Sequence, residues 1–121
     1  LIGATWISPS KAQVDNAFRY ATIDCYIDVK NATNAVATYA VTSRSPDYLE
    51  SLYLEMPLSW ISVSSPNIVV LPGQVSRVPI VVKIPKVLPS KKMEFWVSVK
   101  NTGMSGMIKT ELCAKWFVNI R

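Results

Sequence analysis

Apolar and polar residues alternate with period two along most of this chain, the pattern of strands with one buried face. Ile23, Cys25, Ile27 and Val29 share one face of a first strand, and Thr22, Asp24, Tyr26 and Asp28 share the other. "NATN" (31–34) reads as a turn, and Tyr39 and Val41 carry a second strand. Trp60, Ile61 and Val63 open a short third, which "SSPN" (64–67) breaks. Ile68–Leu71 form another, stopped by Pro72-Gly73. Val78, Ile80, Val82 and Ile84 then face inward, with Arg77, Pro79, Val81 and Lys83 outward. Pro79 has no N–H to give, which places this strand at a sheet edge or a bulge.

The last two strands are the clearest. Met93, Phe95, Val97 and Val99 alternate with Glu94, Trp96, Ser98 and Lys100; Leu112, Ala114, Trp116 and Val118 alternate with Glu111, Cys113, Lys115 and Phe117. "NTGMSGM" between them is rich in turn residues, and centring the hairpin on its glycines sets Phe95 opposite Ala114 and Val97 opposite Leu112. Outside, Glu94 then meets Lys115 and Trp96 meets Cys113, and a one-residue slip would turn the apolar row into water. "PDYLESLYLEM" (46–56) fits a short capped helix through Leu49, Leu52, Tyr53 and Met56 and equally a strand through Leu52, Leu54 and Met56. Seven or eight short strands separated by turn signals predict an all-β fold, an antiparallel two-sheet immunoglobulin-like sandwich.

Composition agrees. The 121 residues, half of them apolar, suit a single domain spanning 1–121 with one core. Apolar runs are far shorter than a membrane span requires. The chain begins at Leu1 with no visible signal peptide, as expected of a mature product or an excised domain.

Three pieces, "YIDVKNATN", "LSWISVSSPNIVVLPGQ" and "VPIVVKIP", give a strand ending in Asn, a Trp before a strand, a Pro-Gly turn and a strand ending in Pro. Through them, residues 7 to 100 resemble immunoglobulin-like domains of secreted and surface proteins of bacteria and archaea, including those appended to alpha-galactosidases. PapD-like and major sperm protein sandwiches share a similar rhythm. The resemblance implies a sandwich with a non-catalytic accessory role and carries over no active-site residue.

Charge is uneven. Residues 1–60 hold four basic and six acidic side chains, a net −2; residues 61–121 hold nine basic and two acidic, a net +7. Such asymmetry attracts polyanions: nucleic acid, anionic lipid or acidic peptide. The lysines are scattered and no nucleic-acid motif accompanies them, which disfavours that partner.

Little chemistry is legible. With no histidine the commonest general base and zinc ligand are missing, and no serine or lysine motif of recognised spacing replaces it. Asp24 and Asp28, with Tyr26 between them, read as solvated strand carboxylates. No phosphate loop or metal cluster is present in the pattern, so no cofactor is expected and the chain is read as a non-enzyme. Cys25 points inward and Cys113 outward; a disulfide between them would need a bulge, and two separate thiols fit the alternation better. Asn31-Ala32-Thr33 is an N-glycosylation sequon in a predicted turn.

The most suggestive feature is the outer face of the final hairpin. Trp96, Cys113 and Phe117 are apolar where the alternation points outward, and Lys100, Lys109 and Lys115 lie among them. Interleaved aromatic and basic groups suit an interaction face, or a layer covered by another part of the chain. The leading reading is a structural or interaction module of a secreted, cell-surface or virion-surface protein. It would act as spacer or as an assembly or adhesion domain whose partner is protein, either itself or neighbouring domains. The alternatives are a major sperm protein-like module whose basic face takes an acidic peptide, and a carbohydrate-binding accessory domain.

Overall fold

The computed structural model describes residues 5–102 and 111–121, and they form an all-β sandwich. Among the described residues there are ten strands: β1 (Thr5–Ser8), β2 (Lys11–Ala17), β3 (Thr22–Asn31), β4 (Ala37–Arg44), β5 (Leu54–Glu55), β6 (Ile61–Val63), β7 (Asn67–Val70), β8 (Val75–Lys83), β9 (Lys92–Asn101) and β10 (Glu111–Ile120). One sheet has the order β1-β3-β8-β6; the other runs β2-β10-β9-β4-β7, with β5 added on β9. Among the described residues no helix is long and apolar enough to cross a membrane.

The period-two residues build the core. Cys25, Ile27 and Val29 of β3 and Val78, Ile80 and Val82 of β8 face Tyr39 and Val41 of β4, Phe95, Val97 and Val99 of β9, and Ala114, Trp116 and Val118 of β10. Each large aliphatic or aromatic side chain buried this way contributes roughly 1.5–3 kcal/mol. Phe95 stacks on Trp116 with ring centroids 6.2 Å apart.

Turn chemistry also acts as read. Gln74 N–H donates to Leu71 O (3.0 Å) across Pro72-Gly73, and Gly73 has φ +74°, the geometry a type II turn requires. Asn31 pins this turn to the end of β3, donating its own N–H to Gln74 O and accepting from Gly73 N–H.

Several expectations change. β1 and β2 were not evident from alternation, and they make the described strands ten. The Ser8–Pro9 peptide, which is cis, carries the chain from one sheet to the other. Two pairings are parallel, β2 with β10 and β5 with β9, so the sheets are not wholly antiparallel. The β9–β10 register sits two residues from the expected one: Val97 pairs Ala114, Val99 pairs Leu112 and Phe95 pairs Trp116. A two-residue slip keeps every side chain on its face, so alternation cannot distinguish the two registers. The stacking of Phe95 on Trp116 belongs to the one observed. The Glu94–Lys115 and Trp96–Cys113 pairs are accordingly replaced by Glu94–Phe117 and Trp96–Lys115.

β8 is not at the edge, because β6 pairs with its residues 80–82. Pro79 sits where that short strand ends, and its carbonyl still accepts from Ser64 N–H (3.1 Å) and Ser64 Oγ (2.9 Å). Trp60 closes a 3-10 turn (Leu58–Trp60) before β6 rather than opening a strand. Residues 46–56 form no helix. Only Leu54–Glu55 are extended into a ladder, and Leu52, at φ +73°, breaks the strand alternative.

Candidate interaction faces

The outer face of β9 and β10 is where the sequence puts its aromatic and basic residues, and the chain itself covers it. After β4 the backbone crosses that face as a strap, residues 45–57, and returns as β5 to pair in parallel with Met93 and Glu94. Tyr48 meets Trp96 edge-on at 5.3 Å, and Tyr53 meets Phe117 at 5.0 Å. Trp96 and Phe117 are therefore buried, at 5 % and 3 % exposure, and are not a free interaction face.

Glu94 is the clamp beneath the strap. It is fully buried; its carboxylate accepts Glu50 N–H (2.9 Å) and Trp96 Nε1–H (2.8 Å), and its carbonyl accepts Met56 N–H (2.8 Å). A buried carboxylate is tolerated only with such donors. Lys115 reaches over the Tyr48 ring (4.3 Å) and donates to its hydroxyl, a bond that raises the lysine pKa. Arg44 pairs with Asp47 and Glu111 and lies over Trp96 at 5.7 Å. Glu111 is held below the usual carboxylate range, first by the Ser98 hydroxyl and then by Arg44 and Lys100. Cys113 is half-buried under Arg44 Nη1 (3.9 Å), and burial pushes its thiol up. Lys100 is exposed at the far end of β9; Lys109 lies outside the described residues.

The remaining candidates resolve differently. Cys25 and Cys113 are both free. The first lies in the core on β3 of one sheet and the second on the outer face of the other, so the bridge does not form. Asn31 is not a surface acceptor for glycan. It is fully buried, and its Nδ2 donates to Ala35 O (2.7 Å) and Val70 O (2.9 Å). Its Oδ1 accepts from Thr33 N–H (3.0 Å) and Thr33 Oγ1–H (2.6 Å), so the sequon is a turn lock. Among the described residues no three side chains gather to hold a metal.

The outer face of the other sheet carries its own exposed aromatic among the described residues. Register places Trp6, Lys30 and Val75 in one row across β1, β3 and β8, then Ser8, Asp28 and Arg77, then Tyr26 and Pro79. Trp6 is 63 % exposed beside a groove of about 250 Å³ lined with Ile7, Ser8, Asp28, Lys30 and Val75. Next to it Arg77 makes two bonds to Asp28 (2.8 and 2.9 Å) and lies over Tyr26 at 3.9 Å, which fixes both side chains. The Asp28 hydrogen bond raises the Arg77 pKa. Trp6 escapes sequence reading because an outward aromatic in a four-residue strand, followed by proline, disguises the alternation. Tyr26 and Asp28 were visible as outward residues, but nothing in sequence brings Trp6 and Arg77 beside them.

No protein-family model matches the chain, and comparison with curated proteins returns no match. Solved structures do match. The Salmonella enterica SafA pilin–SafB chaperone complex contains a chain with TM-score 0.70 and 12 % identity, over 99 % of this chain and 56 % of that one. The seventh PapD-like domain of human CEP192 gives 0.66 and 12 %, over 97 % and 84 %. WR4, a major sperm protein family member of C. elegans, gives 0.57 and 10 %, over 94 % and 96 %. The chain has a PapD-like, major sperm protein-like immunoglobulin sandwich fold. It spans about half the length of the bacterial chaperones it matches. At these identities the likeness bears on fold alone.

Proposed function

We propose that this sandwich is a non-catalytic protein-interaction module of a secreted, cell-surface or virion-surface protein, assembling with a second copy or an adjoining domain. Kinship with the domains appended to alpha-galactosidases is part of the same proposal. The observation that carries it is Trp6, a large aromatic left 63 % exposed on the outer face of the β1-β3-β8-β6 sheet. Rigid exposed aromatics flanked by fixed polar groups are what interface centres are made of. The fold supports this reading, since a matching solved structure holds a chaperone in complex with a pilin.

Sedimentation velocity over micromolar to millimolar protein tests it. The expected result is a concentration-dependent assembly that Trp6→Ser abolishes and Glu55→Gln, on the other sheet, does not. A wild-type monomer throughout, together with no cross-linking to adjoining domains of its parent protein, would overturn it. The carbohydrate reading rests on the same tryptophan, beside the hydroxyl of Ser8 and the carboxylate of Asp28. Saturable quenching of tryptophan fluorescence by oligosaccharides, absent in Trp6→Ser, would favour that reading instead.

A further inference from the structure

Five of the nine basic residues in the second half of the chain, Lys83, Lys86, Lys91, Lys92 and Arg121, collect at one end of the sandwich. Residues 18–21 cross there from β2 to β3, residues 84–91 cross from β8 to β9, and β10 ends beside them. Backbone bonds knit these segments into one surface: Ile84 N–H to Ala21 O (2.9 Å), Ile120 N–H to Lys91 O (2.7 Å) and Arg121 N–H to Ala17 O (2.8 Å). Arg19 adds a bond from Nη1 to Lys86 O (3.2 Å), joining the two loops directly.

Arg19, Lys83, Lys86, Lys91 and Arg121 are all exposed on this surface, and neither loop contains an acidic residue. Lys92 is nearby but is turned toward Tyr53 and Asn119. The acidic residues nearest in sequence are three against these five cations, and one of them, Asp15, lines a pocket together with Arg121. Asp15 accepts from Asn119 and Gln13, Glu94 is buried in its clamp, and Asp24 stands two residues up β3. Between the cations stand apolar tips. Phe18 is 59 % exposed, Tyr20 70 % and Val87 80 %, and the Arg121 guanidinium lies over the Phe18 ring at 5.0 Å.

We propose that this end is a docking tip for a bilayer surface bearing anionic phospholipid. Charge alone would serve any polyanion. The apolar tips decide between them, because an aliphatic side chain such as Val87 gains nothing against a nucleic acid backbone in water. Inserted among lipid headgroups it leaves water, while the surrounding lysine and arginine stems lie along the apolar boundary with their charges at the phosphates. Each basic residue near an anionic membrane strengthens binding about fivefold, so five of them with three apolar tips make a sufficient peripheral anchor.

Co-sedimentation of the full chain with vesicles tests it. Phosphatidylcholine vesicles are compared with phosphatidylcholine–phosphatidylglycerol vesicles at low and high salt. Binding is expected only to the anionic vesicles and should weaken with salt. It should fall at least about tenfold in Lys86→Glu/Lys91→Glu. It should also weaken severalfold in Phe18→Ser/Val87→Ser, where charge is unchanged; melting curves confirm that both variants fold. No binding to anionic vesicles at low salt overturns the proposal. So does binding that ignores Phe18→Ser/Val87→Ser, which leaves bare electrostatic attraction. Binding to a single-stranded oligonucleotide without binding to vesicles would assign the same cations to nucleic acid and overturn it equally.

Discussion

Asn31 shows how one side chain holds two turns. Its amide spends both donors and its carbonyl accepts two bonds, while its backbone ties the Pro72-Gly73 turn to β3. Asn31→Ala would take the acceptor from Thr33 N–H and one donor from the buried Val70 O. Its expected cost is about 1–3 kcal/mol, read from urea unfolding, since a buried polar group left unpaired carries its desolvation penalty. Thr33→Ala should cost less, because water can reach the exposed side of that bond.

Cys25 offers a pH signature. Burial, with Asp24 adding, raises its thiol from the ordinary 9.0 to about 11. A raised folded value means the native state holds the proton longer than the unfolded chain. Its contribution is intact below pH 9 and is lost as pH climbs toward 11, by roughly 2–3 kcal/mol at most. Cys25→Ala should flatten that alkaline decline in unfolding free energy, and Cys113→Ala, whose half-buried thiol is also pushed up, should flatten it less.

At the scale of elements, the strap over β9 and β10 decides what those strands can do. Both faces of β9 are buried from Met93 to Val99 because the core lies on one side and residues 45–57 on the other. Glu94→Ala removes the acceptor of the buried Trp96 Nε1–H and of the part-buried Glu50 N–H. It should destabilise the fold by about 3 kcal/mol, shift Trp96 emission to the red and open residues 48–53 to protease. If proteolysis at those residues stays as slow as in wild type, the clamp is not what holds the strap.

The sequence made the strands legible where alternation runs long, as in Ile23–Val29 and Val78–Ile84, because a wrong face would bury Asp28 or Lys83. It could not reveal the strap. Residues 46–56 satisfy two periodicities at once and adopt neither, since Tyr48 and Tyr53 pack on Trp96 and Phe117, residues remote in sequence, while Leu49, Leu52 and Leu54 stay exposed. The outward aromatics were legible as residues in need of cover, and what covers them was left open. Trp6 was hidden for the converse reason, as the strand that holds it takes its register from β3 and not from its own four residues.

For the whole molecule, the chain closes on itself. β2 lies parallel to β10, with Val14 beside Val118 and Lys115 N–H bonded to Ser10 O (2.9 Å), so segments about a hundred residues apart in sequence form one ladder. Closing so long a loop before any local contact rewards it is entropically dear, which predicts that β2 docks after the β3–β8 and β9–β4 pairs have formed. Val14→Ala tests this, because it trims a partly buried side chain at the ladder without touching the strands proposed to form first. Its cost should be roughly 1–1.5 kcal/mol, and in stopped-flow chevrons it should appear almost entirely as unfolding faster by up to about tenfold. Ile27→Val, in the central pair, should instead slow refolding by a measurable share of its own cost. A refolding limb slowed as much by Val14→Ala as by Ile27→Val would mean that the chain ends meet early, and that the two sheets are joined before either is complete.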